Sequence, residues 1–156
     1  MGSMNDDPVL HDMMFNFYEN NMIPYMQERG ITSILHLGDF FYSRKTLSVQ
    51  TIQYTNRFLD LLEDNCISMV MILGNHDIVH NATSELSAAK ELLHRHVAIY
   101  DSPRTFGKLD LIPWINSGNK SKFESLLASS TNSKIAVGHF DILGAKFAKH
   151  GIVSHH

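Results

Sequence analysis

Residues 74–77 read Gly-Asn-His-Asp and place an amide, an imidazole and a carboxylate directly after an apolar run. Two further apolar runs end in a comparable way, one in Gly-Asp at residues 38–39 and the other in Gly-His at residues 138–139. In an open parallel sheet, ligands bind beside the carboxyl ends of the strands. Oxygen and imidazole donors that converge there favour a divalent cation, so the three segments together predict a metal centre.

Each of the three segments also has a simpler interpretation. Asp39 alone could cap the helix that follows its loop. Residues 74–77 could form a tight turn, since Asn and Asp tolerate turn geometry, although a turn does not explain His76. His139 alone could be a structural histidine. The metal-site interpretation is favoured because all three segments follow strand-like runs.

The hydrophobic pattern predicts alternating helices and strands around these segments. Helices are predicted at residues 8–29, with a kink at Pro24, from near Ser48, at 84–93 and at 121–129; strands are predicted at 31–37, 67–73, 97–100, 109–112 and 134–137. A turn is expected around residues 103–107. The alternation indicates right-handed crossovers, an α/β fold and a largely parallel central sheet.

The composition suits one globular domain. A chain of 156 residues can bury roughly 70 % of its unfolded surface. The single cysteine, Cys66, excludes a disulfide framework and suits a reducing compartment. No apolar run approaches the roughly 20 residues of a membrane helix, and no signal peptide is present, so a soluble cytoplasmic protein is expected. Residues 1–4 are interpreted as a remnant of expression, which leaves residues 5–156 as a partial domain.

The net charge of −3 argues against a generally basic surface for nucleic acid but leaves room for a local basic patch. Arg44 and Lys45 are candidates for phosphate contacts, although such a loop pair is often only solvated. His36 is expected in the core or behind the site, His80 on a loop surface and His11 on a helix surface.

These motifs resemble the calcineurin-like metallophosphoesterase superfamily, in which Gly-Asp, Gly-Asn-His-Asp and Gly-His follow one another in this order. The resemblance runs from about residue 6 to the end of the chain and is strongest to the double-strand-break repair and phage recombination nucleases. Further likeness to that branch lies at residues 30–32, 40–41, 44–45, 84–86 and 110–114. The resemblance implies an α/β/β/α sandwich that acts as a DNA exo- or endonuclease.

The resemblance also implies a role for each motif residue. Asp39 would bridge two metal ions, and Asn75 and His139 would bind the second ion. His76 would be the catalytic histidine beside the leaving group, oriented by Asp77. Two cations roughly 3.5–4 Å apart can activate a bridging water and neutralise the charge that develops during in-line attack. The mixed donor set favours Mn²⁺.

Two motifs of the superfamily are missing from the sequence. Neither the first motif, Asp-x-His, nor the last, Gly-His-x-His, is found, so the fold is expected to be incomplete and to hold one ion or none. The implied partners are DNA and the ATPase subunit of a repair complex, in the host cytoplasm if a phage encodes the chain. A missing first strand would expose a sheet edge and favour a homodimer. A binding scaffold without activity and a small-molecule phosphoesterase are the alternatives.

Overall fold

A computed structural model describes residues 1–2, 7–79, 85–129 and 133–140 of the chain. His80 and the first residue of the helix predicted at 84–93 lie outside the described residues. No helix in the described ranges is long and apolar enough to cross a membrane. The domain limits proposed from the sequence, 5–156, extend beyond these ranges and remain a prediction.

The N-terminal helical region begins at a capped end and contains one widened turn. The Asp7 side chain accepts a hydrogen bond from a backbone N–H of the first turn and so satisfies a donor that the helix leaves unpaired. The region consists of α1 (Pro8–Phe17), a π-helical turn (Tyr18–Met22) and α2 (Ile23–Glu28). The widened turn lies just before Pro24, which cannot donate a backbone hydrogen bond. The predicted kink is therefore a change of helix type.

The first sheet carries two of the three polar segments. Its strands are β1 (Ser33–His36), β2 (Ser68–Ile72) and β3 (Val97–Tyr100), all parallel and in that order. The connections contain α3 (Val49–Asp64) and α4 (Ala88–Leu93). Ser48 caps α3, and Ser87 caps α4. The parallel order brings the loops that follow β1 and β2 to the same edge of the sheet.

A second sheet carries the third polar segment. Two sheets agree with the α/β/β/α sandwich that the resemblance implies, whereas the alternation of helices and strands alone indicated one central sheet. The strands of the second sheet are β4 (Arg104–Phe106), β5 (Leu109–Ile112) and β6 (Ile135–Gly138), and α5 (Lys120–Ala128) precedes β6. The turn expected at 103–107 contains β4, which pairs antiparallel with β5. Gly107 has a positive φ of 60° and opens a two-residue hairpin loop. The α/β class is confirmed.

The main core lies between the helices and the first sheet. Its buried members include Phe15 of α1, Phe58 and Leu62 of α3, Met71 of β2 and Leu93 of α4. Burying each such side chain contributes on the order of 1.5–3 kcal/mol. This core holds β1 and β2 in place and so fixes the start of the loops that follow them.

The prediction that His11 lies on the helix surface is wrong. His11 is only 2 % exposed, and its ring stacks on Tyr54 of α3 with 4.3 Å between the centroids. It shares a helix face with Phe15, four residues later, because residues i and i+4 lie above one another on a helix. The face that carries His11 therefore packs against α3.

Candidate metal centre

Asp39, Asn75 and His139 lie together, although they follow strands of two different sheets. His139 Nε2 is 3.5 Å from Asp39 Oδ2 and 3.0 Å from the Asn75 side-chain amide. The two sheets meet here through a backbone hydrogen bond of 2.8 Å from Trp114 N to Leu73 O. The Trp114 ring packs edge-on against the ring of His139, with 6.1 Å between the centroids.

The hydrogen bonds of His139 determine which ring nitrogen faces the site. Its Nδ1 is 2.9 Å from the carbonyl oxygen of Leu37. A carbonyl oxygen can only accept, so Nδ1 carries the hydrogen and donates it. In the neutral ring, Nε2 then carries the lone pair and faces Asn75 and Asp39. A histidine anchored through one nitrogen in this way presents the other as a metal ligand.

The same reasoning orients the amide of Asn75. Because His139 Nε2 is an acceptor, the amide nitrogen must face it. In that orientation the nitrogen is 3.0 Å from His139 Nε2 and 3.3 Å from each oxygen of Asp39, and the amide oxygen is 2.9 Å from the guanidinium of Arg44. Arg44 therefore lies at the edge of the site. Lys45, the next residue, is exposed.

The donor set fits a divalent cation. Asp39 and His139 Nε2 both accept hydrogen bonds from the Asn75 amide nitrogen. A cation at the position of those amide hydrogens would bind the same two acceptors. Asn75 would then present its oxygen instead of its nitrogen. Across the described part of the chain, no three His, Cys, Asp or Glu side chains form a metal-binding group. The third donor of this site is an amide.

Two glycines allow the loops after β1 and β2 to pack backbone against backbone. A Cβ at Gly38 would lie 2.5 Å from the backbone nitrogen of Gly74, and Gly38 has a φ of 93°. A Cβ at Gly74 would overlap Oδ1 and the backbone nitrogen of Asp39. Only glycine combines a positive φ with so close an approach. The two glycines therefore set the distance between Asp39 and Asn75.

Asp77 is buried beneath these loops and accepts hydrogen bonds from their backbone. Its carboxylate is 2.7 Å from the nitrogen of Asp39, 2.9 Å from that of Phe40 and 2.8 Å from that of Gly74. Burial raises the pKa of the Asp77 carboxyl, and the hydrogen bonds from the Gly74, Phe41 and Asp39 backbone oppose the rise. The orientation of His76 by Asp77, implied by the resemblance, is not what the structure shows.

A backbone carbonyl holds the ring of His76 instead. His76 Nδ1 lies 2.6 Å from the carbonyl oxygen of Tyr42, so Nδ1 is the donor and Nε2 is the nitrogen that can exchange a proton. The backbone nitrogen of His76 donates to Asp39 Oδ1 at 2.8 Å. The imidazole is thus anchored beside the proposed ligands. The sequence offered no signal for this contact, because a carbonyl partner can belong to any residue type.

His36 lies behind the site, as expected from the sequence. Its Nδ1 accepts a hydrogen bond of 3.3 Å from the backbone nitrogen of Gly38, and its ring is 5.4 Å from that of Phe40. The pKa of His36 is lowered to about 4, chiefly by burial and also by the N-terminal charge, while Asp39 opposes the shift. The ring is therefore neutral at neutral pH.

The neutral state of His36 makes stability depend on pH. Between pH 6.5 and about 4 the unfolded chain binds a proton at His36 and the folded chain does not. The free energy of unfolding should therefore fall as the pH is lowered through this window, by at most about 3 kcal/mol from this residue. Urea denaturation of metal-free protein from pH 7.5 to 4.5 measures it. His36→Gln should flatten the dependence; equal slopes in both proteins would contradict the assignment.

Comparison with known proteins places the chain among the calcineurin-like phosphoesterases. The sequence profile of the calcineurin-like phosphoesterase family matches residues 14–150, and the chain belongs to this family. It is also 32% identical over 139 residues to exonuclease subunit 1 of Enterobacteria phage T4. That alignment covers 85% of this chain and 40% of the phage protein, so the chain spans about two fifths of this relative. The likeness to the nuclease branch is thereby confirmed.

Proposed function

We propose that this chain is the part of a DNA nuclease subunit that carries Asp39, Asn75, His76 and His139. The observation that carries the proposal is that the side chains of Asp39, Asn75 and His139 converge, with their polar atoms 3.0–3.5 Å from one another. Bound there, a divalent cation would polarise a phosphodiester and lower the pKa of a water molecule. The name of the phage relative, an exonuclease subunit, supports DNA as the substrate.

The residues of the chain have distinct parts in this proposal. Asp39, Asn75 and His139 bind the cation, for which we propose Mn²⁺, with a second ion in a complete domain. His76 stands beside them with Nδ1 held by the Tyr42 carbonyl. Its Nε2 is then the nitrogen that can hold the proton delivered to the leaving oxygen. Asp77 acts on the loops and not on the reacting atoms.

We further propose that the chain works with an ATPase subunit in a repair and recombination complex in the host cytoplasm. The word "subunit" in the name of the phage relative supports an assembly. In the described sheet, β1 is an edge strand with β2 on one side. An open edge can pair with a strand of another chain, which supports a homodimer as a second form of assembly.

Arg44 is the proposed phosphate contact. Its guanidinium reaches the Asn75 amide, so an ester bound at the metal centre would lie within its range. A charged hydrogen bond of this kind contributes about 1.5–3 kcal/mol, and we expect Arg44→Gln to raise the KM for a phosphodiester about tenfold or more. Lys45→Gln, one residue further from the site, is the matched control and should change KM less. Equal effects would show that only the charge of the loop matters.

The substrate class is tested by hydrolysis with Mn²⁺. We expect the chain to cleave a DNA oligonucleotide and bis(p-nitrophenyl) phosphate, both diesters, in preference to p-nitrophenyl phosphate, a monoester. Preference for the monoester would support the small-molecule phosphoesterase instead. Binding of Mn²⁺ without cleavage of any ester would support a binding scaffold. EDTA should abolish the activity, and Mn²⁺ should restore it.

A further inference from the structure

We propose that Asp77 is a positioning residue that builds the turn on which Asp39 is presented to the metal ion. The inference rests on the proposed role of Asp39 as a ligand. It differs from the role implied by the resemblance, because Asp77 acts here on the backbone of the neighbouring loop. The ring of His76 has a separate anchor, the carbonyl of Tyr42.

Both oxygens of Asp77 are used within the two loops. Oδ2 accepts from the backbone nitrogens of Asp39 and Gly74, and Oδ1 accepts from those of Phe40 and Phe41. The Phe41 distance, 3.4 Å, is the longest of the four. The carboxylate is only 1 % exposed, so water cannot replace these bonds. One side chain thus joins segments that lie 36 to 38 residues apart.

The hydrogen bonds to Asp77 matter because Asp39 has an unusual backbone conformation. Its φ is 55°, in the left-handed region, which costs a residue other than glycine on the order of 1–3 kcal/mol. The bond from Asp39 N to Asp77 holds that conformation. In return, Asp39 Oδ1 accepts from the backbone nitrogen of His76 at 2.8 Å. Each aspartate therefore fixes the loop that carries the other.

This exchange leaves one oxygen of Asp39 for the cation. Oδ1 is engaged by the His76 backbone, while Oδ2 points towards His139 Nε2 at 3.5 Å. Without Asp77, the turn would relax from its left-handed conformation and Oδ2 would leave the other donors. Residues that hold metal ligands in this way typically change metal affinity 10- to 100-fold when substituted. Asp77 should act on affinity by this route.

Asp77→Asn is the sharpest variant, because it keeps the shape of the side chain and replaces one acceptor oxygen with an NH₂ group. That group would face backbone donors, and buried donors would lose their partners. Leu62→Ala is the control. Leu62 is a buried residue of α3 whose carbonyl bonds Ile67 N, just before β2 and therefore at the opposite end of that strand from the site. We expect Leu62→Ala to lower the stability of the protein without changing the loops that follow β1 and β2.

Two measurements test the proposal. In metal-free protein, hydrogen exchange should show that Asp77→Asn exposes the amides of Asp39, Phe40 and Gly74 more than global unfolding explains, while Leu62→Ala does not. Calorimetric titration with Mn²⁺ should show affinity 10- to 100-fold weaker in Asp77→Asn and near the wild-type value in Leu62→Ala. If Asp77→Asn does not fold, Asp77→Ser, which keeps a single acceptor oxygen, carries the same expectations.

The outcomes separate this inference from the proposed function. Unchanged Mn²⁺ affinity in the Asp77 variants, or retained protection of the three amides, would overturn the inference alone. Failure of the wild-type chain to bind Mn²⁺ would overturn the proposed metal role of Asp39 and the inference with it. A loss of affinity that Leu62→Ala shares would reduce Asp77 to a stabilising residue.

Discussion

Gly74→Ala is expected to separate the two loops of the site and to abolish metal binding. The added Cβ would overlap Oδ1 and the backbone nitrogen of Asp39 and lie 3.0 Å from its Cγ. Backbone atoms cannot swing aside as the end of a long side chain can, so the loop after β1 must move. We expect a loss of about 3 kcal/mol or more in the free energy of unfolding, at the upper end for single substitutions.

Gly30→Ala is the matched control for this variant. Gly30 has a positive φ of 61°, yet a Cβ there would meet nothing within 4 Å. It should cost about 1 kcal/mol through backbone strain alone and leave Mn²⁺ binding intact. Urea denaturation and calorimetric titration with Mn²⁺ of both variants distinguish the effect of backbone strain from the effect of steric overlap between the loops. Unchanged Mn²⁺ affinity in Gly74→Ala would show that the close approach of the loops does not set the site.

His76→Gln is expected to reduce hydrolysis of a phosphodiester by roughly 10²- to 10⁴-fold in kcat, the usual range for general acid–base catalysis. The affinity for Mn²⁺ should stay within a few-fold of the wild-type value. The bond from His76 to Asp39 Oδ1 comes from the backbone nitrogen and survives the substitution. Kinetics with bis(p-nitrophenyl) phosphate and calorimetry on the same preparation give the two numbers.

Two results would contradict the role of His76 as a proton carrier. If His76→Gln lost Mn²⁺ binding together with activity, the imidazole would be a ligand rather than a proton carrier. If both stayed at the wild-type level, His76 would have no part in the reaction. Tyr42→Phe is a useful companion, because the bond that holds His76 comes from the backbone carbonyl of Tyr42. That variant should leave the orientation of the ring unchanged.

The sequence predicted the location of Asp39, Asn75 and His139 because each follows an apolar run, and strand ends in α/β folds carry ligands. It did not predict that His139 follows a strand of a second sheet. An apolar run indicates a strand but not its neighbour, and pairing is set by packing across the whole chain. The roles of the Leu37 and Tyr42 carbonyls were also missed, since backbone contacts leave no side-chain pattern.

Some elements of secondary structure were predicted with the bounds that the structure shows, and others were missed. The strands at 97–100 and 109–112 agree with the structure at both ends. The hairpin strand β4 was missed because its three residues lie between Pro103 and Gly107, which indicate a turn. His11 was correctly expected on a helix but was placed on the wrong face, because its ring stacks on Tyr54 of α3.

The most direct test of the metal centre is calorimetric titration of this chain with Mn²⁺ beside its Asp39→Ala variant. Asp39 contributes the only carboxylate among the three proposed ligands, so its removal should weaken binding by more than the roughly 10- to 100-fold expected when a residue that only holds a ligand is substituted. We expect saturable binding in the wild-type chain that Asp39→Ala abolishes. Absence of binding in the wild-type chain, or equal binding in both proteins, would contradict it.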